Sequence, residues 1–232
     1  MEADGSDTCG GGEGAANLFR LGMCHLQGRG VAQDTARAVH FFQRASDAGD
    51  ANAQFNLGVL YTQGLGVAQD HTQAARFFRL SAERGDAKAQ LQLGVCFVLA
   101  RGVPPSYEEA AAWFRAAAEQ GDASAQYNLG VCLAKGTGVD RDMKESLKWY
   151  RSAADLGLPA AQNNLGVCYA HGLEVEQDWG KAVEWYRKAA EQGHPGAQNN
   201  LGVLYAKGVG VEKDMSAAVK WYRKAGASGH PQ

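Results

Sequence analysis

The sequence has no apolar run near the roughly 18 residues that a membrane-crossing helix needs, and its opening, Met-Glu-Ala-Asp-Gly-Ser, lacks the cationic and apolar segments of a signal peptide. Membrane insertion is therefore not expected, and the cytoplasm is the expected location. Positive charge is not in excess either: 23 Lys and Arg stand against 25 Asp and Glu, a formal net charge of −2. That balance lacks the basic footprint attracted by a phosphate backbone, so nucleic acid is not an expected partner.

Paired cysteines are also missing. Cys9, Cys24, Cys96, Cys132 and Cys168 include no Cys-x-x-Cys spacing, and the last four fall at one position of a repeat. Equivalent atoms in stacked helical repeats lie about 10 Å apart, whereas a disulfide needs Cα atoms within about 7 Å. The thiols are expected to be reduced and to pack as small hydrophobes. The histidines, His25, His40, His71, His171, His194 and His230, form no His-x-x-x-His pair, and no serine or cysteine lies in a nucleophile motif. They read as solvated or turn residues; no metal, cofactor or catalytic residue is expected.

The sequence does contain a period. Leu21-Gly22, Leu57-Gly58, Leu93-Gly94, Leu129-Gly130, Leu165-Gly166 and Leu201-Gly202 recur every 36 residues without insertion, the signature of stacked helical pairs. Residues 1–14 are Gly-rich, lack periodic apolar positions and read as a flexible leader. Repeats are expected at about 15–49, 50–85, 86–121, 122–157, 158–193 and 194–229.

Within a unit, Ala53, Leu57, Leu60 and Tyr61 give the first helix, from Asn52 to Gln63, one apolar face. Gly58 inside it costs about 1 kcal/mol relative to alanine, which predicts close approach of the second helix. Gly28, Gly64, Gly136, Gly172 and Gly208 are placed to end first helices in the left-handed conformation, with Ala100 in repeat three. The Gly-x-Gly-Val loops that follow lack the Lys-Ser/Thr and preceding strand of a phosphate cradle. They lead to Asp34, Asp70, Ser106, Asp142, Asp178 and Asp214, expected caps of the second helices. Ala74, Phe77, Phe78, Ser81 and Ala82, echoed by Ala182, Trp185, Tyr186, Ala189 and Ala190, form an apolar stripe read as core between repeats. Gly49, Gly85, Gly121, Gly157, Gly193 and Gly229 then stop the second helix, and Pro159 and Pro195 suit the first turn of the next. A ladder of Arg79, Arg115, Arg151, Arg187 and Arg223 is expected to pair loosely with surface acids.

The unit Ala-x-Ala-Gln-x-Asn-Leu-Gly-Val-x-Tyr, Gly-x-Gly-Val-x-x-Asp, Ala-x-x-Trp-Tyr-Arg-x-Ala-Ala-x-x-Gly resembles the Sel1-like repeat over residues 15–229. The resemblance implies an all-α fold, a right-handed α/α superhelical solenoid of six 36-residue helix-turn-helix repeats related to tetratricopeptide repeats. It also implies a protein-binding adaptor or scaffold. Some secreted bacterial members join the two helices of a unit by a disulfide; here no unit holds a second cysteine. Departures are Ala100, Pro104-Pro105 and Ser106 in repeat three, Glu174 in repeat five, and Arg20 and His25 in repeat one.

If first helices line a concave side, as that resemblance implies, Asn56, Asn128, Asn164 and Asn200 form a ladder there, joined by Asn163 and Asn199. Stacked carboxamides can hold the main chain of an extended peptide; they can equally bridge adjacent repeats and satisfy backbone groups. Phe55, Leu91 and Tyr127 fill the neighbouring slot in earlier repeats. Arg20 is the only cation at these positions, which argues against a clamp for a carboxylate terminus. The first reading is a non-enzymatic scaffold that binds a protein or peptide segment on this face. The alternatives are an enzyme or enzyme regulator, by family analogy to β-lactam hydrolases, and a structural spacer. Gly229-His230-Pro231-Gln232 echoes the start of a first helix, so either the chain is part of a longer protein or the uncapped C-terminal repeat self-associates.

Overall fold

The structure, a computed structural model, describes residues 14–228. The leader with Cys9, the cap expected of Gly229, and His230 with the start of a seventh unit lie outside the described residues, Gly14 excepted. The described residues are all-α: twelve helices, two per 36-residue repeat, in a solenoid-type arrangement. Contacts divide the chain into two compact units between Trp113 and Phe114. The first holds α1 (Ala15–Gln27), α2 (Thr35–Asp47), α3 (Ala51–Gln63), α4 (His71–Ala82) and α5 (Ala87–Leu99). The division falls within α6 (Tyr107–Glu119), and the second unit continues with α7 (Ala123–Lys135), α8 (Met143–Asp155), α9 (Pro159–His171), α10 (Trp179–Glu191), α11 (Pro195–Lys207) and α12 (Met215–Ser228).

The helix ends follow from side-chain chemistry. Asp34, Asp70, Asp142, Asp178 and Asp214, and the Ser106 hydroxyl, accept from backbone N–H groups in the first turn of each second helix, each cap contributing about 1 kcal/mol. The backbone N–H of the same residue ties back to the first helix, as from Asp70 to the Tyr61 carbonyl at 3.0 Å. First helices are capped too, by Asp50, Asp86 and Asp122 and by Nδ1 of His194, a set the sequence pattern did not single out.

In five of the repeats the glycine inside the first helix, Gly22, Gly58, Gly130, Gly166 or Gly202, is filled from the second helix. A Cβ on Gly58 would lie 2.5 Å from the Phe78 ring, and one on Gly166 would lie 2.7 Å from the Tyr186 ring. The absent side chain thus lets an aromatic ring seat against the helix backbone, which offsets the propensity cost. Leu57, Leu93, Leu129, Leu165 and Leu201 are fully buried beside it.

Two departures from the pattern keep the pattern's backbone. Ala100 takes φ +51° where the other repeats have glycine, and Glu174 takes φ +55° in the second loop position. In repeats two and six that second position lies against the previous repeat: a Cβ on Gly66 would meet the Thr35 carbonyl at 2.6 Å, and one on Gly210 the Trp179 carbonyl at 2.5 Å.

Candidate functional site

Neighbouring repeats are joined by a column of buried glutamines. Nε2 of Gln54, Gln90, Gln126, Gln162 and Gln198 donates to the carbonyl eight residues earlier, at 3.1–3.4 Å, in the last turn of the preceding second helix. Gln54 and Gln162 also accept at Oε1, from Arg84 at 3.3 Å and Gln192 at 2.8 Å. Oε1 of Gln126 is buried without a partner. The sequence signal for this column was the repeated Ala-Gln word: a polar residue three positions before a buried leucine.

The arginine ladder differs from expectation. Arg151 donates to the Tyr169 hydroxyl and Arg187 to the Tyr205 hydroxyl, each at 3.1 Å and 18 residues on, while Arg79 lies over the Phe97 ring at 5.5 Å. For these three, aromatics of the next first helix are the partners, because a repeat junction brings them alongside. Arg115 faces Leu133 in that register and instead bonds Glu145 at 2.6 Å, which lowers the carboxyl's pKa.

Of the histidines read as solvated or turn residues, His25 departs and His194 stands in the turn before α11. His25 is 3% exposed and stacks on Phe41 at 5.4 Å, filling the slot where Tyr61 stacks on Phe77. His194 is a helix cap whose pKa is lowered by burial. Cys96, Cys132 and Cys168 are buried free thiols with raised pKa, Cys168 pushed up to about 11 by desolvation.

The asparagines that precede the Leu-Gly steps are half-buried and only some of them meet. Nδ2 of Asn200 donates to Oδ1 of Asn163 at 3.1 Å, and Nδ2 of Asn163 donates to Oδ1 of Asn164 at 3.4 Å. Asn164 also interacts with Tyr150, whose pKa burial raises. For Asn163 and Asn200, bridging of adjacent repeats describes the geometry. Asn56 donates to the Asn52 carbonyl of its own helix at 2.8 Å. Asn128 is half-buried on α7, and Asn199 is exposed. Phe55 and Tyr127, both half-buried, pack on Phe78 and Tyr150 with ring centroids 5.9 and 6.0 Å apart.

Next to the Asn163–Asn200 bridge a cavity of about 320 Å³ opens between α9, α10 and α11. Ala170, Tyr186, Val203 and Leu204 supply apolar wall, and Asn200, His171 and Lys207 supply its polar groups. Tyr186 is buried with its pKa pushed up to about 12, so it is a neutral wall at physiological pH. The corresponding place in the first unit is smaller, about 190 Å³, and is lined by Val59, Thr62, Gln63, Phe78 and Gln92. Among the described residues no group of three or more His, Cys, Asp or Glu side chains could hold a metal ion, and no helix is long and apolar enough to cross a membrane.

The Sel1 repeat family model matches six times, at residues 18–50, 51–86, 87–122, 123–158, 159–194 and 195–230. The chain belongs to the Sel1 repeat family. Sel1 repeat proteins are generally protein-interaction scaffolds. Among solved structures, this Sel1 repeat chain is similar to a Sel1 repeat protein from Oxalobacter formigenes, at 32% identity and TM-score 0.82 over 92% of this chain and 85% of that one. It is also similar to c5321, a protective antigen of uropathogenic Escherichia coli with an SLR fold. That match has 34% identity and TM-score 0.73 and covers 93% of this chain but only 54% of the antigen. The chain therefore spans about half of the antigen's length. The immunity protein PA5088 of Pseudomonas aeruginosa, at 20% identity and TM-score 0.52 over 92% of this chain and 82% of that one, shares the fold. A search of curated proteins gives no match.

Proposed function

We propose that this Sel1 repeat protein is a non-enzymatic scaffold of the cytoplasm that binds an extended protein or peptide segment along the face made by its first helices. The observation that carries this reading is the cavity of about 320 Å³ beside Asn200, where apolar wall and a carboxamide converge on one open space. Such a mixture suits a main chain held by amides with a side chain seated below it. Asn128, Asn164 and Asn200 are assigned to the second unit's part of the surface, flanked by Tyr127, Asn163 and Asn199. Asn56 and Phe55 are assigned to the first unit's part.

The test is affinity capture from native cell extract with the wild-type chain and with a variant carrying Asn128→Ala, Asn164→Ala and Asn200→Ala, after equal helicity and melting have been established. Partners lost only by the variant support the amide surface; partners retained by both remove it. Turnover of a chromogenic β-lactam by the purified chain above background would overturn the non-enzymatic reading.

A self-association reading has its own support. Val219 and Tyr222 on α12 are 42% and 38% exposed, while Val183 and Tyr186 in the corresponding places of α10 are 5% and 4% exposed. A second copy that covers this apolar face would bury it as α11 buries its counterpart on α10. Light scattering that finds only monomer at high concentration would end that reading.

A further inference from the structure

We propose that the cavity between α9, α10 and α11 receives an acidic peptide, with one bulky apolar side chain seated against Tyr186, Val203 and Leu204 and a carboxylate beside it at Lys207. The proposal rests on the scaffold reading above and names the class of segment the scaffold selects. Apolar side chains form most of the wall, and no acidic residue lines the cavity. Its two charged or chargeable groups, His171 and Lys207, are exposed and make no ion pair among the described residues. Asn200 gives one Nδ2 hydrogen to Asn163, which leaves its Oδ1 and its second N–H to pair with an incoming main chain.

The sign of the charge is a property of the second unit. There the first helices α7, α9 and α11 end in Lys135, His171 and Lys207, whereas α1, α3 and α5 end in Gln27, Gln63 and Leu99. A cation in a last helical turn complements the helix dipole; in the first unit the one base in such a turn, His25, is buried, and only the second unit places exposed lysines there, Lys135 and Lys207. The first unit's smaller cavity presents Gln63 and Gln92 at its polar edge. A cation at the rim of an apolar cavity sets which ligands enter and how fast, since charge complementarity acts chiefly on specificity and association rate.

Selection of a displayed library of random peptides on the full chain tests this, followed by fluorescence anisotropy of the enriched peptides on wild type and on Lys207→Glu, Lys207→Gln and Val203→Trp variants shown to melt like wild type. The expected result is enrichment of peptides with Asp or Glu next to a large apolar residue. Their affinity should fall roughly tenfold or more in Lys207→Glu, less in Lys207→Gln, and should weaken as salt is raised from about 50 to about 300 mM. Val203→Trp, which fills the cavity, should abolish binding. Enrichment of neutral or basic peptides that Val203→Trp still blocks would overturn the acidic preference and leave the scaffold reading standing. Enriched peptides indifferent to Val203→Trp would overturn the site, and no enrichment of any kind would count against both.

Discussion

Nε2 of Gln192 donates to Oε1 of Gln162 across 2.8 Å, completing a buried carboxamide whose own Nε2 holds the Ala154 carbonyl. Arg84 does the same for Gln54. In repeat four, one of the two between them, the corresponding place is Leu156, 60% exposed, and the Gln126 oxygen below is buried and unpartnered. Leu156→Gln is expected to raise stability by about 1 kcal/mol, the net value of a hydrogen bond that relieves an unmade one. Urea unfolding would read it as a higher midpoint at unchanged slope. In a Gln126→Met background the gain should vanish, because no acceptor remains.

Ala100 ends α5 at φ +51°. An L-residue there costs roughly 1–2 kcal/mol, of which glycine's larger unfolded-state entropy returns about 0.4–1 kcal/mol. Ala100→Gly should therefore be stabilising by about 0.5–1 kcal/mol, seen as a higher melting temperature, and Glu174→Gly should act in the same direction.

Gly166→Ala should do the reverse of what helix propensity suggests. Alanine gains about 1 kcal/mol as a helix former, but its methyl would stand 2.7 Å from the Tyr186 ring, and overpacking of a core costs about 1–3 kcal/mol. The expected outcome is net destabilisation in the wild type. With Tyr186→Leu already in place the same alanine should be tolerated, a coupling that a double-mutant cycle measures.

His194 caps α11 by accepting the Ala197 N–H at Nδ1, 3.1 Å away, which only the unprotonated nitrogen can do. Its pKa is below the ordinary value of 6.5 because burial disfavours the charged ring. A group whose native pKa is depressed contributes its full stability above the unfolded pKa and loses it as pH falls through the native one. Melting temperature should therefore drop as pH is lowered from about 7.5 to about 5. The His194→Asn variant, which caps without titrating, should show a smaller drop over that interval.

Much of this was legible because it repeats locally. The Leu-Gly period, the capping aspartates and the aromatic stripe are each written within one helix or its adjoining turn, so spacing alone assigns them. The glutamine column was not, since its partner is a main-chain carbonyl eight residues back, and nothing in a side-chain pattern marks a carbonyl. The arginines went to Tyr169 and Tyr205 rather than to acids because a junction between repeats places residues 18 apart side by side. Reading only the positions that adjoin each Leu-Gly step found Asn200 but passed over His171 and Lys207, which reach the same cavity from helix ends. Spacing alone leaves two roles open to the asparagines, because one amide can bridge repeats, as Asn200 does to Asn163, and still keep an acceptor.

The exposed Tyr222 has a bearing on how the molecule comes apart. Within each unit every junction is made of the same few contacts, so opening one pair of helices uncovers a new end that resembles the old one. Stability of that kind is lost from an edge inward, as a boundary travelling one repeat at a time. Tyr222, 38% exposed where Tyr186 is 4%, has less of its junction made, so in the isolated 232-residue chain amides of α12 should exchange with solvent before those of α10.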